Sequence, residues 1–442
     1  MTQDFRAAIN AAPMSRFQKM VLAVCIALNM LDGFDVLVVA FAAPHLAADW
    51  QLSGRELGAL LSAGLLGMAA GGLFIAPFAD RIGRRPLVLL CLCTIAGGML
   101  ASAFAQTYTQ LLTLRVVTGL GIGGMLASIS VIAAEYASDK WRTAAVTMLS
   151  AGYTLGATVG GAITGVLLAY YSWRSAFLLG GVSTLLVIPL ALYGFQESLD
   201  FLIAKRPKAA LARVNAILSR MRREPVDRLT ATRAPDAVAA GRLVLSPVMV
   251  LRTLLLWIAF ICVMAGFYFV MSWTPKLLVQ AGMSATQGVT GGVLLNVGGL
   301  AGCTLFSVVS GRVRLTPLLT WFLIVSAALL AAFGASASEL RLALPLAIIL
   351  GATISACVGG LYALTPLLYP PQVRATGVGW AVGMGRLGAM AGPVLVGMLI
   401  DGGWQADQLY YLFAIPFLVA ALPINAIAYV LTRRAGGMTK TA

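Results

Sequence analysis

Long apolar runs, separated by short polar breaks, dominate the chain. Nine runs carry no charged residue and reach the length of a membrane crossing, about 20 mainly apolar residues: 57–79, 86–114, 143–173, 175–196, 253–275, 277–311, 315–338, 342–373 and 408–432. Three more contain charge: 20–48 holds Asp32 and Asp35, 110–137 holds Arg115 and Glu135, and 375–400 holds Arg386. None alternates with the period of two expected of a barrel strand. In hydrocarbon each backbone polar group must be satisfied within its own segment. The pattern therefore predicts an all-α integral membrane protein with twelve transmembrane helices.

The polar breaks fix an orientation. With the N-terminus inside, the inner segments collect 25 Lys and Arg and the outer ones only Arg55, Arg174, Lys276 and Arg341. Positive residues accumulate on the cytoplasmic side, so both termini are expected there. Residues 1–19 are polar, with Arg6, Arg16 and Lys19, and the run that follows is long enough to span, so no cleavable leader is expected. One long polar segment, 196–252, separates spans one to six from seven to twelve. It contains Pro207, Pro225, Pro235 and the basic run Arg220–Arg223, and 208–222 has the spacing of a surface helix. It reads as a connector, with lipid contact or regulation as the other reading.

Composition narrows the class. Of the 442 residues, 60% are hydrophobic and 11% charged, against about 25% charged in soluble domains. The formal net charge of +15 lies in short loops and span ends, not on one soluble domain, so no nucleic-acid partner is expected. All six cysteines fall in apolar runs without C-x-x-C spacing, and His45 is the single histidine. Neither a metal site, a disulfide nor a cofactor is expected, and no nucleophile–base or phosphate-binding constellation points to an enzyme.

The two halves share a register. Arg142 is followed by Gly156 and Gly160, and Arg374 by Gly388 and Gly392, at identical offsets. Glycines four apart let helices approach closely. The repeat predicts two pseudo-symmetric six-helix bundles, 1–195 and 251–442, joined by a cytoplasmic loop, 196–250. Bundles of this kind bind substrate at their interface near mid-membrane and rock around it.

Ala76-Pro77-Phe78-Ala79-Asp80-Arg81-Ile82-Gly83-Arg84-Arg85 resembles the major facilitator signature G-x-x-x-D-R-x-G-R-R, with Ala76 at the first glycine. Arg115-Val116-Val117-Thr118-Gly119-Leu120-Gly121 is similar to a second signature of that superfamily. Asp32-Gly33-Phe34-Asp35 and Arg374-Ala375-Thr376-Gly377-Val378-Gly379 look like the aromatic acid:proton symporter family, and the resemblance runs from about residue 15 to 430. It implies the major facilitator fold, a bacterial inner membrane, and a coupling role for Arg115. It also implies a cytoplasmic gate of Asp80, Arg81, Arg84 and Arg85, with Glu135 and Arg142 flanking another loop on that side. Two positions depart. Ser310-Gly311-Arg312-Val313-Arg314 has no acid where Asp80 stands, and Ala157 replaces a proline common in proton antiporters.

Charges inside spans carry the candidate chemistry, since each costs at least about 2.5 kcal/mol at mid-membrane. Asp32 and Asp35, three apart, share one face of span one. Two buried carboxylates side by side resist simultaneous ionisation, which suits one of them to load and release a proton. Arg115 pairs with a span-one acid or snorkels to the interface. Arg386, near the centre of its run, is read as a two-pronged anchor for a substrate carboxylate, or as a partner for the span-one aspartates. Tyr153, Phe267, Tyr268, Trp273, Asn296, Tyr362 and Trp380 are candidate cavity lining, with rings that stack on an aromatic substrate. The expected function is proton-coupled import of a small aromatic carboxylate, benzoate or hydroxybenzoate in type. The expected partners are that acid, protons and the bilayer, with the protein a monomer. Proton-coupled export of organic anions or drugs, and import of a non-aromatic acid, are the alternatives.

Overall fold

The computed structural model describes residues 9–438 apart from 11–12, 206–208, 227–228, 230–236, 248, 337–338 and 371–372. Arg6, Pro207, Pro235 and Lys440 lie outside the described residues. Twelve helices among the described residues are long and apolar enough to cross a membrane. They are α1 (Arg16–Asp49), α2 (from Gly54), α3 (Arg84–Ala103), α4 (Tyr108–Tyr136), α5 (Asp139–Tyr170) and α6 (Arg174–Gly194). After the connector come α7 (Val250–Gln280), α8 (Ala285–Ser310), α9 (Leu315–Ser336), α10 (Leu340–Leu364), α11 (Arg374–Asp401) and α12 (Ala406–Met438). No strand occurs among the described residues. The expected all-α membrane architecture is what the chain adopts.

Prolines sit inside α1, α6, α7, α10, α11 and α12, tolerated because neighbouring helices resatisfy the freed backbone groups. The inner end of the second span is irregular. The regular helix Gly54–Ala70 passes into a π-turn at Gly71–Ile75, a 3-10 turn at Ala76–Phe78 and a last turn at Ala79–Ile82. Gly83 then takes φ +101°, where a side chain is strained, and an added Cβ would also strike the Glu197 carboxylate. That conformation is the physical reason for a glycine between Asp80-Arg81 and Arg84-Arg85.

Contacts divide the chain into two units. The first holds the described residues of 1–36, 63–160 and 174–234; the second holds 37–62, 161–173 and those of 235–442. The end of α1 from Leu37, the start of α2 and the end of α5 therefore belong with the later helices. In the first unit, Gly156 and Gly160 of α5 press on the Met30 carbonyl and the Phe34 ring of α1. In the second, Gly388 and Gly392 of α11 press on the carbonyls of Ile261 and Ala265 of α7. The repeated glycines thus make the same fifth-on-first helix contact in both units.

The connector forms helices at Leu199–Lys205, Ala210–Arg220 and Ala237–Val244. The expected helix within 208–222 is the second of these. Ala210, Val214, Ile217 and Leu218 form its buried face, and Arg220 stacks over the Phe17 ring at 4.3 Å.

Candidate functional site

The first unit holds its membrane charges in a closed cluster. Asp32 and Asp35 are each 3% exposed and Arg115 is 1% exposed. The Arg115 guanidinium grips Asp35 with two prongs: Nη2 to Oδ2 at 2.6 Å and Nη1 to Oδ1 at 3.2 Å. Nη2 also donates to the Asp35 carbonyl at 3.3 Å, and the cation faces the Phe177 ring at 5.7 Å. Arg115 is a buried ion-pair partner and does not snorkel. Beside the cluster, Asn29 donates from Nδ2 to the Leu149 carbonyl at 2.5 Å, tying α1 to α5. Gly33 lies so close to the Tyr153 carbonyl that a Cβ there would overlap it. That contact explains the glycine between the two aspartates and places Tyr153, half-buried, against their helix.

Arg386 in the second unit is different. It is half-buried, and among the described residues it has no hydrogen-bond or ion-pair partner. Tyr362 is 43% exposed and meets Phe260 edge-on at 5.7 Å, and Phe260 packs against Gly385, the residue before Arg386. Trp380, 38% exposed, lies 6.1 Å from Trp257. The sequence did not single out Trp257 or Phe260. They lie about three and two helical turns before the predicted Phe267 and Tyr268, on the α7 run that meets α11. Phe267 and Tyr268 contact each other edge-on at 5.3 Å, half-buried. Two predicted lining residues have partners within the protein: Trp273, 1% exposed, donates to the Pro393 carbonyl at 3.1 Å. Asn296, 5% exposed, donates to the Gly292 carbonyl at 2.9 Å.

Of the predicted gate residues, Arg84, Glu135 and Asp80 come together, while Arg81, Arg85 and Arg142 have other partners. Arg84 pairs through Nη1 with Glu135 and with Ser198, and only loosely, at 3.8 Å, with the exposed Asp80. Glu135 also accepts from Ser198 Oγ at 2.8 Å and from Leu199 N at 2.9 Å. Glu197 takes the backbone amides of Arg84 and Arg85 at 2.8 and 3.3 Å, capping α3. Arg85 donates to the Leu192 carbonyl at 2.7 Å, and Arg81 stacks over Phe78 at 5.6 Å. Arg142 pairs with Asp139 at 3.4 Å and donates from Nε to the Ala134 carbonyl at 3.3 Å. Glu197 and Ser198 were missed by sequence reasoning. Their signal was an acid and a hydroxyl placed directly after a charge-free run and ahead of a helix, a capping pattern.

One unit thus holds a buried ion pair, and the other a cation with no acid partner among the described residues. A family model described as Major Facilitator Superfamily matches residues 24–338, and the chain belongs to that superfamily of membrane transporters. The 4-hydroxybenzoate transporter PcaK of Acinetobacter baylyi is 31% identical, over 95% of this chain and 93% of its own. The gallate transporter of Pseudomonas putida is 30% identical, over 99% and 97%. Among solved structures, that of a D-xylose-proton symporter aligns with a TM-score of 0.73 at 17% identity, covering 92% of this chain and 97% of the other. That likeness speaks for the fold.

Proposed function

We propose that this major facilitator protein is a proton-coupled importer of a small aromatic carboxylate in a bacterial inner membrane, with both termini cytoplasmic. The observation that carries the reading is Arg386: a half-buried cation in an apolar helix, with no acid partner among the described residues, next in sequence to Gly385, which packs against Phe260, the ring partner of Tyr362. A charge so placed is costly unless it meets a counter-charge, and a carboxylate matches its fork. Tyr362 and Trp380 supply π-faces for a ring. Relatives named for 4-hydroxybenzoate and gallate support the aromatic class.

The proton step belongs to the other unit. With Asp35 ionised, Arg115 holds it at 2.6 Å. Protonating that carboxylate removes the pair's attraction, and Asp32, one turn earlier, is placed to share or relay the proton. One proton with one monoanion moves no net charge. A second proton would add about 2.3 kcal/mol of drive per 100 mV.

The test is uptake of a labelled panel of aromatic acids into proteoliposomes under an inward proton gradient, repeated with Asp32→Asn, Asp35→Asn and Arg386→Ala. Gradient-driven accumulation that the aspartate variants lose is the expected result. Efflux under the same gradient would move the protein to antiport, and accumulation of non-aromatic acids alone would overturn the aromatic assignment.

A further inference from the structure

Two consecutive amides at the start of α2 are capped from another helix. A helix leaves its first four N–H groups without internal partners. Here α2 starts at Gly54, and a local capping box serves Ser53 and Glu56: Ser53 N donates to Glu56 Oε2 at 2.9 Å and Glu56 N to Ser53 Oγ at 3.2 Å. Leu57 N reaches the Ser53 carbonyl at 3.0 Å. Gly54 and Arg55 remain, and Asp401, the last residue of α11, takes both. Gly54 N donates to Oδ1 at 2.6 Å and Arg55 N to Oδ2 at 2.8 Å. Charge-assisted bonds and the helix dipole both favour a carboxylate there.

Below the cap, the two helices meet through small residues. A Cβ on Gly54 would lie 2.5 Å from the Gly397 carbonyl oxygen, and one on Gly58 2.5 Å from that of Pro393. Ser62 donates to the Met390 carbonyl at 2.9 Å. Positions 54, 58 and 62 thus form one face, four residues apart, laid along α11 from Met390 to Asp401. A cavity of about 330 Å³, with Gln51, Trp273, Lys276 and Gln280 in its wall, opens beside the cap. The junction lies wholly in the second unit, whereas α2 beyond Ser62 belongs to the first.

We propose that Asp401 is a clasp: its carboxylate on the α2 N-terminus holds the α2–α11 junction shut, and the junction parts when α2 follows the first unit during the transport cycle. The proposal concerns how this end of the protein closes and is independent of which acid is carried.

The test needs no substrate. Ser62→Cys buries a thiol in the junction, and its modification by a membrane-impermeant maleimide, read by mass spectrometry of the peptide, reports opening. Protein in native membranes is compared with Asp401 intact, Asp401→Asn and Asp401→Ala. Ser102→Cys, wholly buried in the first unit, is the control. The clasp predicts labelling at position 62 about tenfold faster in Asp401→Ala, the scale of a helix-terminus charge in a favourable setting. Asp401→Asn should fall between, and position 102 should not change. Equal rates at position 62 with and without the carboxylate would overturn it. So would parallel acceleration at 62 and 102, which reports a loosened fold. Failure of aromatic-acid uptake in the wild-type protein would leave this result standing.

Discussion

The two units place opposite charges on opposite members of an equivalent helix pair. In the contact register shared by α5 on α1 and α11 on α7, Met30 and Phe34 take the places of Ile261 and Ala265. Asp32 and Asp35 then fall on Val263 and Gly266, and Arg386 falls on Thr154. The first unit keeps its acids on the first helix and neutralises one with Arg115, at 1% exposure. The second keeps its cation on the fifth helix and leaves it half-buried, with no partner among the described residues. Even the close contact is inverted. Gly33 makes room for the Tyr153 backbone, whereas in the second unit Gly385 makes room for the Met264 and Phe260 side chains, 3.1 Å from where its Cβ would stand. One charge is thus committed to the fold, and the other, under the proposed function, is the one that meets the substrate.

The largest effect should come from breaking the committed charge. Arg115→Ala strands Asp35 in the interior and should cost about 3–5 kcal/mol, seen as a collapse in membrane abundance and melting temperature. Replacing both members, Asp35→Leu with Arg115→Leu, should restore most of that stability while gradient-driven uptake stays lost.

Removing the uncommitted charge should do the reverse. Arg386→Ala should raise KM for the acid by about 30-fold, the worth of a charged hydrogen-bonded contact, while the melting temperature moves less than about 2 °C. A melting loss as large as that of Arg115→Ala would make Arg386 a structural residue and erase the contrast.

Gly33→Ala must displace Tyr153 backbone, at about 1–3 kcal/mol. Gly385→Ala meets side chains that can turn aside, so thermal melts should show a smaller cost. The smallest change belongs to Tyr362→Phe. It keeps the ring and removes a hydroxyl with no hydrogen bond among the described residues, and should alter KM by less than about threefold.

Much of this was legible along the chain. Run lengths gave twelve spans, and the helices of the structure overlap all of them. The Arg-to-glycine offsets of the two halves marked the helix pairs that meet. The rarity of charge in apolar runs singled out Asp32, Asp35, Arg115 and Arg386, the residues on which the comparison turns. Less legible was the gate. Arg84 finds Glu135 and Ser198 across helices, Arg142 finds Asp139, and Glu197 caps α3.

By itself, the sequence determined the helical class, the span count, the internal repeat and which residues carry charge in hydrocarbon. Those follow from composition and local order, because a backbone in lipid has few ways to satisfy itself. Tertiary structure alone decided that Arg115 takes Asp35, that Arg386 takes no acid among the described residues, and that Asp401 closes on Gly54. It also decided that residues 37–62 leave the first unit. These spans are apolar on nearly every side, so periodicity marks no buried face. Which groups meet is then set by the rotation and reach of helices whose partners lie tens to hundreds of positions away in the chain.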